Sequence, residues 1–384
     1  MSILRIGLVG RRSSSLLEGL RSQPGVEISA FCEIDRSLLE SVSSKYSIPL
    51  TFTKFEDMLE NVDVAVIGTP MQLHVPQALA ALQAGCSVLS EVTAAVSLEE
   101  CWRLLDAVSA SGKTYMMSEN YCYIRENVLI KEMVRKGLFG DPYYGEGQYL
   151  HEFRKAHHTP EGSPTWRYYW QVGMNGCTYG THSLGPVMQW FSAADKEDRI
   201  ETVTCLGSGR HTDTEHPHDD TSTMLCKMKS GKLINVRLDM MSNRPHAMRN
   251  YALQGTKGAY ESSRADGDVG RIWVGESITD EHRSWRPLTD FEEHLPESWL
   301  HPPEEALRAG HGGGDYYVAS DFINAIRNGS PPPIDVYTSL EWTAAGLCSQ
   351  ISIENGGVPI HVPNFRDPSQ RPLWLDGRLK GADL

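Results

Sequence analysis

The apolar positions of this chain change rhythm about a third of the way along. Up to roughly residue 137, compact apolar runs alternate with stretches whose apolar residues recur at helical spacing. "ILRIGLVG" precedes the helical "SSLLEGLRSQ", and "VEISAFCEI" precedes "RSLLESVSSKY", which Asp35 can cap. A short "LTFT" and a helix through "FEDMLENV" follow, and then the strand "VDVAVIGTP" and the helix "HVPQALAALQAG". "CSVLSE", "SLEECWRLLDAVSASG" and "TYMMSEN" complete the run. Strand–helix alternation with short connections predicts a doubly wound parallel sheet. Beyond Gly137 the pieces are strand-length, β-branched or aromatic, and divided by glycine-bearing turns: "PYYGEGQYLHEF", "RIETVTCLGSG", "TSTMLCKM", "KLINVRLDMM", "NYALQGTKGAYES" and "GRIWVGE". "CKMKSGKLINV" reads as a hairpin around Ser230–Gly231. A second, α+β domain with a mostly antiparallel open sheet is expected, with two late helices before a proline-rich tail. The expected division is 1–122 and 123–384.

Composition narrows the function more than the fold. The 384 residues are 40% hydrophobic and 22% charged, as in an ordinary soluble domain pair. A formal charge of −13 with no basic stripe argues against nucleic-acid and anionic-membrane partners. Eight scattered cysteines without a C-x-x-C pair suit reduced thiols better than a disulfide framework or a zinc site. Met1 leads almost directly into an apolar strand, and no window is apolar enough to span a bilayer. A cytoplasmic protein is therefore expected.

The nucleotide signal is partial. With Gly10 as the first glycine of G-x-G-x-x-G, the second and third positions fall on Arg12 and Ser15. Serines 13 to 15 can offer N–H and hydroxyl groups at a helix start, and Arg11 or Arg12 can pair with phosphate. Glu33, at the end of the second strand, suits the ribose diol of NAD and repels the 2′-phosphate of NADP, although Arg36 lies nearby. On the glycines alone, a sheet that has lost its nucleotide is the competing interpretation. "HTDTEHPHDD", His211 to Asp220, lacks the regular spacing of a metal site and is expected to be a solvated loop, so no metal is assigned.

"GTPMQLHVPQALAALQAGCSVLSE" carries the Thr-Pro, the histidine five residues after that threonine and the helix–strand–Glu cadence of the Gfo/Idh/MocA oxidoreductases, whose first domain is a Rossmann fold. "SEVTAAVSLEECWRLLD", "YMMSENYCY", "MVRKGLFGD", "GQYLHEFR", "YGTHSLGPVMQW" and "GHGGGDYY" resemble the NAD-dependent α-N-acetylgalactosaminidase branch, glycoside hydrolase family 109. The resemblance covers the whole chain. Val92 stands at the lysine position of ordinary members and Thr178 at their aspartate position, four residues before His182. Thr93 and Gly180 replace prolines of the branch, and Phe153 a leucine.

The resemblance implies a glycosidase with NAD as recycled catalyst. Oxidation at C3 of the sugar acidifies the C2 proton, the aglycone is eliminated from C1, water adds, and the hydride returns. Such chemistry needs proton-transfer groups at the C3 hydroxyl and at C2. Tyr179 and His182, three apart at an apparent helix start, are expected to provide them. Tyr149, Arg167 and Tyr316 map onto sugar-contacting positions. Gly10, Arg11, Arg12, Ser13, Glu33, Thr69, Pro70, Met71, His74, Glu91, Val92 and Asn120 form the expected cofactor set. The expected ligand is a small carbohydrate, and a homo-oligomer through the C-terminal sheet is anticipated. An ordinary NAD-dependent sugar or cyclitol dehydrogenase and a non-catalytic sugar-binding pseudoenzyme are the alternatives.

Overall fold

A computed structural model describes residues 2–171, 173–265, 267–275 and 284–373. These fall into two compact units. The first lies within Met1–Tyr123, Pro303–Thr343 and Pro363–Leu384, the second within Ile124–Pro302 and Ala344–Val362. The division is thus interleaved, where the sequence pattern suggests a single crossing. The physical reason is visible in the helix Gly314–Asn328, which packs on the short helix Leu17–Arg21. Gly19 permits that approach, since a Cβ there would stand 2.6 Å from the Asp315 carbonyl oxygen.

The first unit is the expected parallel sheet. Strands β1 (Leu4–Val9), β2 (Val26–Cys32), β3 (Leu50–Phe52), β4 (Val64–Ile67), β5 (Ser87–Ser90) and β6 (Tyr115–Met117) run in the order β3-β2-β1-β4-β5-β6. All five pairings are parallel. Every residue of β4 is buried, as a strand covered on both faces requires. Helix starts follow local chemistry. The Asp35 carboxylate accepts from the N–H groups of Ser37 and Leu38, and the Ser97 hydroxyl accepts from Glu100 N–H while the Glu100 carboxylate accepts from Val96 N–H. Strand order reverses between β1 and β4, and ligands of such sheets bind at that switch.

The second unit holds β7 (Pro142–Leu150), β8 (Ile200–Gly207), β9 (Thr221–Met228), β10 (Leu233–Asp239), β11 (Ala247–Gly255), β12 (Gly258–Glu261), β13 (Arg271–Val274), β14 (Arg286–Pro287) and β15 (Ile360–His361). They form one sheet, ordered β14-β13-β12-β11-β7-β10-β9-β8-β15. The β7–β10 pair is parallel and the other described pairings are antiparallel. β9 alternates buried and outward residues, the pattern of a sheet with one covered face. The β9–β10 turn sits at Ser230–Gly231, where Gly231 adopts φ 92°. "NYALQGTKGAYES" is two strands and not one, because the chain turns at Thr256–Lys257 between β11 and β12.

All eight cysteines are buried thiols outside any disulfide. Among the described residues, no helix is long and apolar enough to cross a membrane.

Candidate active site

In the first unit the switch point is built from two loops in backbone contact. Gly10 follows β1 at φ 79°, and a Cβ there would stand 2.7 Å from the Gly68 carbonyl oxygen. Gly68, after β4, is equally crowded, its added Cβ falling 2.1 Å from the Ser13 nitrogen. Glycine at both places is a packing requirement. Arg12 N–H donates to the Gly68 carbonyl at 3.1 Å and Ser13 N–H to the Gly10 carbonyl at 3.2 Å.

That geometry engages the serine hydroxyls locally. The hydroxyls of Ser13, Ser14 and Ser15 donate to the carbonyls three residues earlier, of Gly10, Arg11 and Arg12. Ser13 is fully buried. These groups wind the 3₁₀ helix Arg11–Leu16, each hydroxyl hydrogen spent on a carbonyl of the same turn. The Arg11 and Arg12 side chains remain, both exposed.

His74 is likewise engaged locally. Its ring nitrogens sit 2.8 Å from the Thr93 carbonyl oxygen and 2.9 Å from that of Thr69, and burial pushes its pKa down. A neutral ring carries one N–H and donates to one of these two carbonyls, so the side chain braces the loops after β4 and β5. Thr69 donates its hydroxyl to Gln77, Pro70 precedes the turn Met71–Leu73, and Met71 is buried.

Glu91 leaves β5 only 7% exposed, with one carboxylate oxygen 3.7 Å from Arg12 Nε. Val92 and Thr93 beside it are buried. Asn120, 3% exposed after β6, keeps a buried side-chain oxygen without a hydrogen-bond partner. Glu33 follows β2 half-buried, and one of its carboxylate oxygens accepts from Asp35 N–H.

Two residues to which the sequence assigned no role join this group. His311 lies 2.9 Å, through Nδ1, from both carboxylate oxygens of Asp315, which is 1% exposed. Its Nε2 is 3.5 Å from Arg12 Nη2, and the Asn120 amide nitrogen is 3.3 Å from both ring nitrogens. The segment "GHGGGD" was legible as a motif; only the fold brings it to the loop after β1. Tyr316 follows in the same helix, its ring edge-on to Tyr317 at 5.2 Å.

The second unit carries an aromatic cluster on β7 and the helix Thr181–Ala194. Gly147 makes it possible, because a Cβ there would lie 2.0 Å from the Ser183 carbonyl oxygen. The first turn of the helix therefore rests directly on the strand, bringing His182 beside Tyr149. Their rings are stacked with centroids 5.4 Å apart, and Tyr179 stands edge-on to both, at 5.4 Å from His182 and 6.0 Å from Tyr149. Tyr179 lies just before the helix and is half-buried. Tyr251 donates its hydroxyl to the His182 carbonyl at 2.6 Å, fixing that turn from behind.

The cluster extends outward through His151, 5.5 Å from Tyr149 and 4.2 Å from His246. Burial first, and then the neighbouring His246, push the His151 pKa down to about 4. Phe153 links His151 to Arg167, whose guanidinium lies over Phe153 at 4.9 Å and Trp166 at 4.3 Å and donates to Gln171. Thr178, at the aspartate position of ordinary members, is buried with its hydroxyl 3.3 Å from the Met174 carbonyl.

The loop His211–Asp220 is exposed at His211, Thr212, Thr214, Glu215 and Pro217, as expected, and turns three polar residues inward. His216 is 1% exposed and His218 fully buried, with His218 Nε2 3.1 Å from the Gly176 carbonyl oxygen. His216 packs against His157 and Tyr168, while Asp220 accepts from His211 and Thr212 N–H. An imidazole bonded to a backbone carbonyl is satisfied without water. No group of three His, Cys, Asp or Glu placed to hold a metal occurs among the described residues.

A parallel sheet with a glycine-pinned switch point, joined to a mostly antiparallel open sheet, defines the Gfo/Idh/MocA class of oxidoreductases. Residues 2–119 match the oxidoreductase family, NAD-binding Rossmann fold, and residues 123–370 match the glycosyl hydrolase 109 C-terminal domain. The chain belongs to glycosyl hydrolase family 109. It is 30% identical to a glycosyl hydrolase family 109 protein of Shewanella pealeana, over 99% of this chain and 88% of that protein. It is also 30% identical to the alpha-N-acetylgalactosaminidase of Shewanella oneidensis, over 95% of this chain and 85% of that protein. In fold it is similar to levoglucosan dehydrogenase in complex with NADH, with a TM-score of 0.79 at 18% identity, over 95% of this chain and 100% of that one.

NAD is the cofactor this family membership carries, and the residues fit it. The buried, unpartnered oxygen of Asn120 is a ready acceptor for an amide, and exposed arginines flank the loop after β1.

Proposed function

We propose that this enzyme is a glycosidase acting on an α-N-acetylgalactosaminide or a closely similar sugar, with NAD oxidised and reduced within each turnover. The observation that carries the reading is the Tyr149–Tyr179–His182 cluster, assembled while the lysine and aspartate positions of ordinary members hold buried Val92 and Thr178. NAD, when bound, supplies reversible hydride removal at C3 of the sugar, which acidifies the C2 proton.

The chain's own groups do the rest. Tyr179 takes the proton of the C3 hydroxyl and returns it when that hydroxyl re-forms. His182 removes the C2 proton and restores it after water has added at C1. Its orientation is held from two sides, by the Tyr149 ring against its face and by Tyr251 on its carbonyl. Arg167, half-buried over Phe153 and Trp166, binds the sugar. Glu33 takes the adenosine ribose diol and Asn120 the nicotinamide carboxamide.

His182→Ala and Tyr179→Phe should each lower aglycone release by about 10²–10⁴-fold, the usual contribution of a general acid–base group. Bound nucleotide should stay near the wild-type level, because both residues belong to the second unit. Release of nitrophenol from p-nitrophenyl α-N-acetylgalactosaminide, with nucleotide counted after acid precipitation, checks both statements. Near-wild-type turnover in His182→Ala would remove the assignment.

A further inference from the structure

The loop after β1 has kept Gly10 but lost the two later glycines of the fingerprint, and two of its backbone N–H groups are already engaged, Arg12 by Gly68 and Ser13 by Gly10. The loop amides that ordinarily receive a pyrophosphate are therefore reduced in number. The side chain at the second glycine's place is a guanidinium, and it is held from two directions. Glu91 stands 3.7 Å from its Nε, and His311 Nε2 stands 3.5 Å from its Nη2.

His311 is itself fixed. Its backbone takes the left-handed conformation at φ 54°, unusual for a residue with a side chain, and Gly312 and Gly313 continue at φ 69° and 97°. Asp315, almost fully buried, meets Nδ1 through both carboxylate oxygens. One tautomer satisfies the arrangement: Nδ1–H donates to Asp315, and the Nε2 lone pair accepts from Arg12. The Asn120 amide lies against the same ring, and its oxygen is the buried acceptor without a partner. A strained backbone that aims an imidazole at the phosphate loop has its explanation in what it aims at.

We infer that a side-chain cradle receives the pyrophosphate in place of loop amides that are already engaged: Arg12, steadied by Glu91 and by the His311–Asp315 pair. His311 is thereby a nucleotide-positioning residue, and a long way along the chain it completes a phosphate site begun at Gly10. The ligand class is a dinucleotide or any adenosine diphosphate ester. The inference rests on NAD as cofactor and is independent of the glycosidase chemistry.

The test is equilibrium binding of NADH, ADP-ribose and adenosine to the full chain stripped of nucleotide, by calorimetry or nicotinamide fluorescence. Arg12→Ala should weaken NADH and ADP-ribose by about tenfold or more, the size of one lost charge-assisted hydrogen bond. His311→Ala should weaken the same two ligands several-fold and leave adenosine within about twofold, because adenosine has no phosphate to lose. The Arg12→Ala/His311→Ala double variant should lose less than the product of the single losses, since the two act through one group. Thermal unfolding of each unliganded variant controls for folding, and His311→Gln, with a polar side chain at the same place, should recover part of the loss. Unchanged ADP-ribose binding in a folded His311→Ala, or losses that simply multiply, would overturn the cradle. A wild-type chain that binds none of the three ligands would instead remove the cofactor assignment beneath it.

Discussion

At position 92 a buried valine stands where ordinary members of the class keep a lysine, and at 178 a buried threonine stands in place of an aspartate. Neither side chain exchanges protons at neutral pH. Both absences were legible in the sequence, as was the Tyr179–His182 pair proposed to compensate for them. What the letters did not disclose was hydrogen-bond occupancy. Ser13 spends its hydroxyl hydrogen on the Gly10 carbonyl, and the buried His74 ring, with one N–H to give, lies between the carbonyls of Thr69 and Thr93. A sequence records a donor's place and not its partner. Glu33 follows β2 with a half-buried carboxylate, one oxygen of which accepts from Asp35 N–H. Glu33→Ala should weaken NAD binding about tenfold, the cost of the ribose hydrogen bonds, and narrow the preference over NADP. Titration of the apo protein with each nucleotide measures both, and an unchanged NAD affinity would remove Glu33 from the site.

At the scale of elements, the decisive contact is the helix Thr181–Ala194 resting on β7 through Gly147. Gly147→Ala must push the helix away, so it should cost about 1–3 kcal/mol, as overpacking does, and also reduce turnover by separating His182 from Tyr149. Urea unfolding alongside nitrophenol release tests this, and a fully stable, fully active variant would contradict it. "GQYLHEF" shows the glycine and both aromatic positions, yet the sequence cannot state that a carbonyl 2.0 Å away demands the glycine.

The histidines of this unit make a second prediction. Burial, reinforced by neighbouring histidines, pushes His151, His157 and His216 down to about 4. In the unfolded chain they titrate near their ordinary value of about 6.5. Between those values the unfolded state binds more protons, so their contribution is complete above about pH 6.5 and falls as pH drops toward about 4. The thermal midpoint should decline through that window, and His157→Gln/His216→Gln should decline less steeply. An equally steep variant would show that the carboxylates alone set the slope.

At the scale of the molecule, the parallel sheet, the change of texture after Gly137 and the mostly antiparallel second sheet were all readable from apolar periodicity. The return of Pro303–Thr343 to the first unit was not, because the contact that holds it there, Gly19 against Asp315, joins residues far apart in the chain. That return also carries His311 to Arg12. The central claim is that these parts run a reaction with no net redox change. Its direct measurement is p-nitrophenyl α-N-acetylgalactosaminide turnover by the purified protein, following nitrophenol and reduced nicotinamide together. The expected result is many nitrophenol molecules released per bound nucleotide with no build-up of NADH. NADH formed one-for-one with substrate consumed, without nitrophenol release, would contradict it.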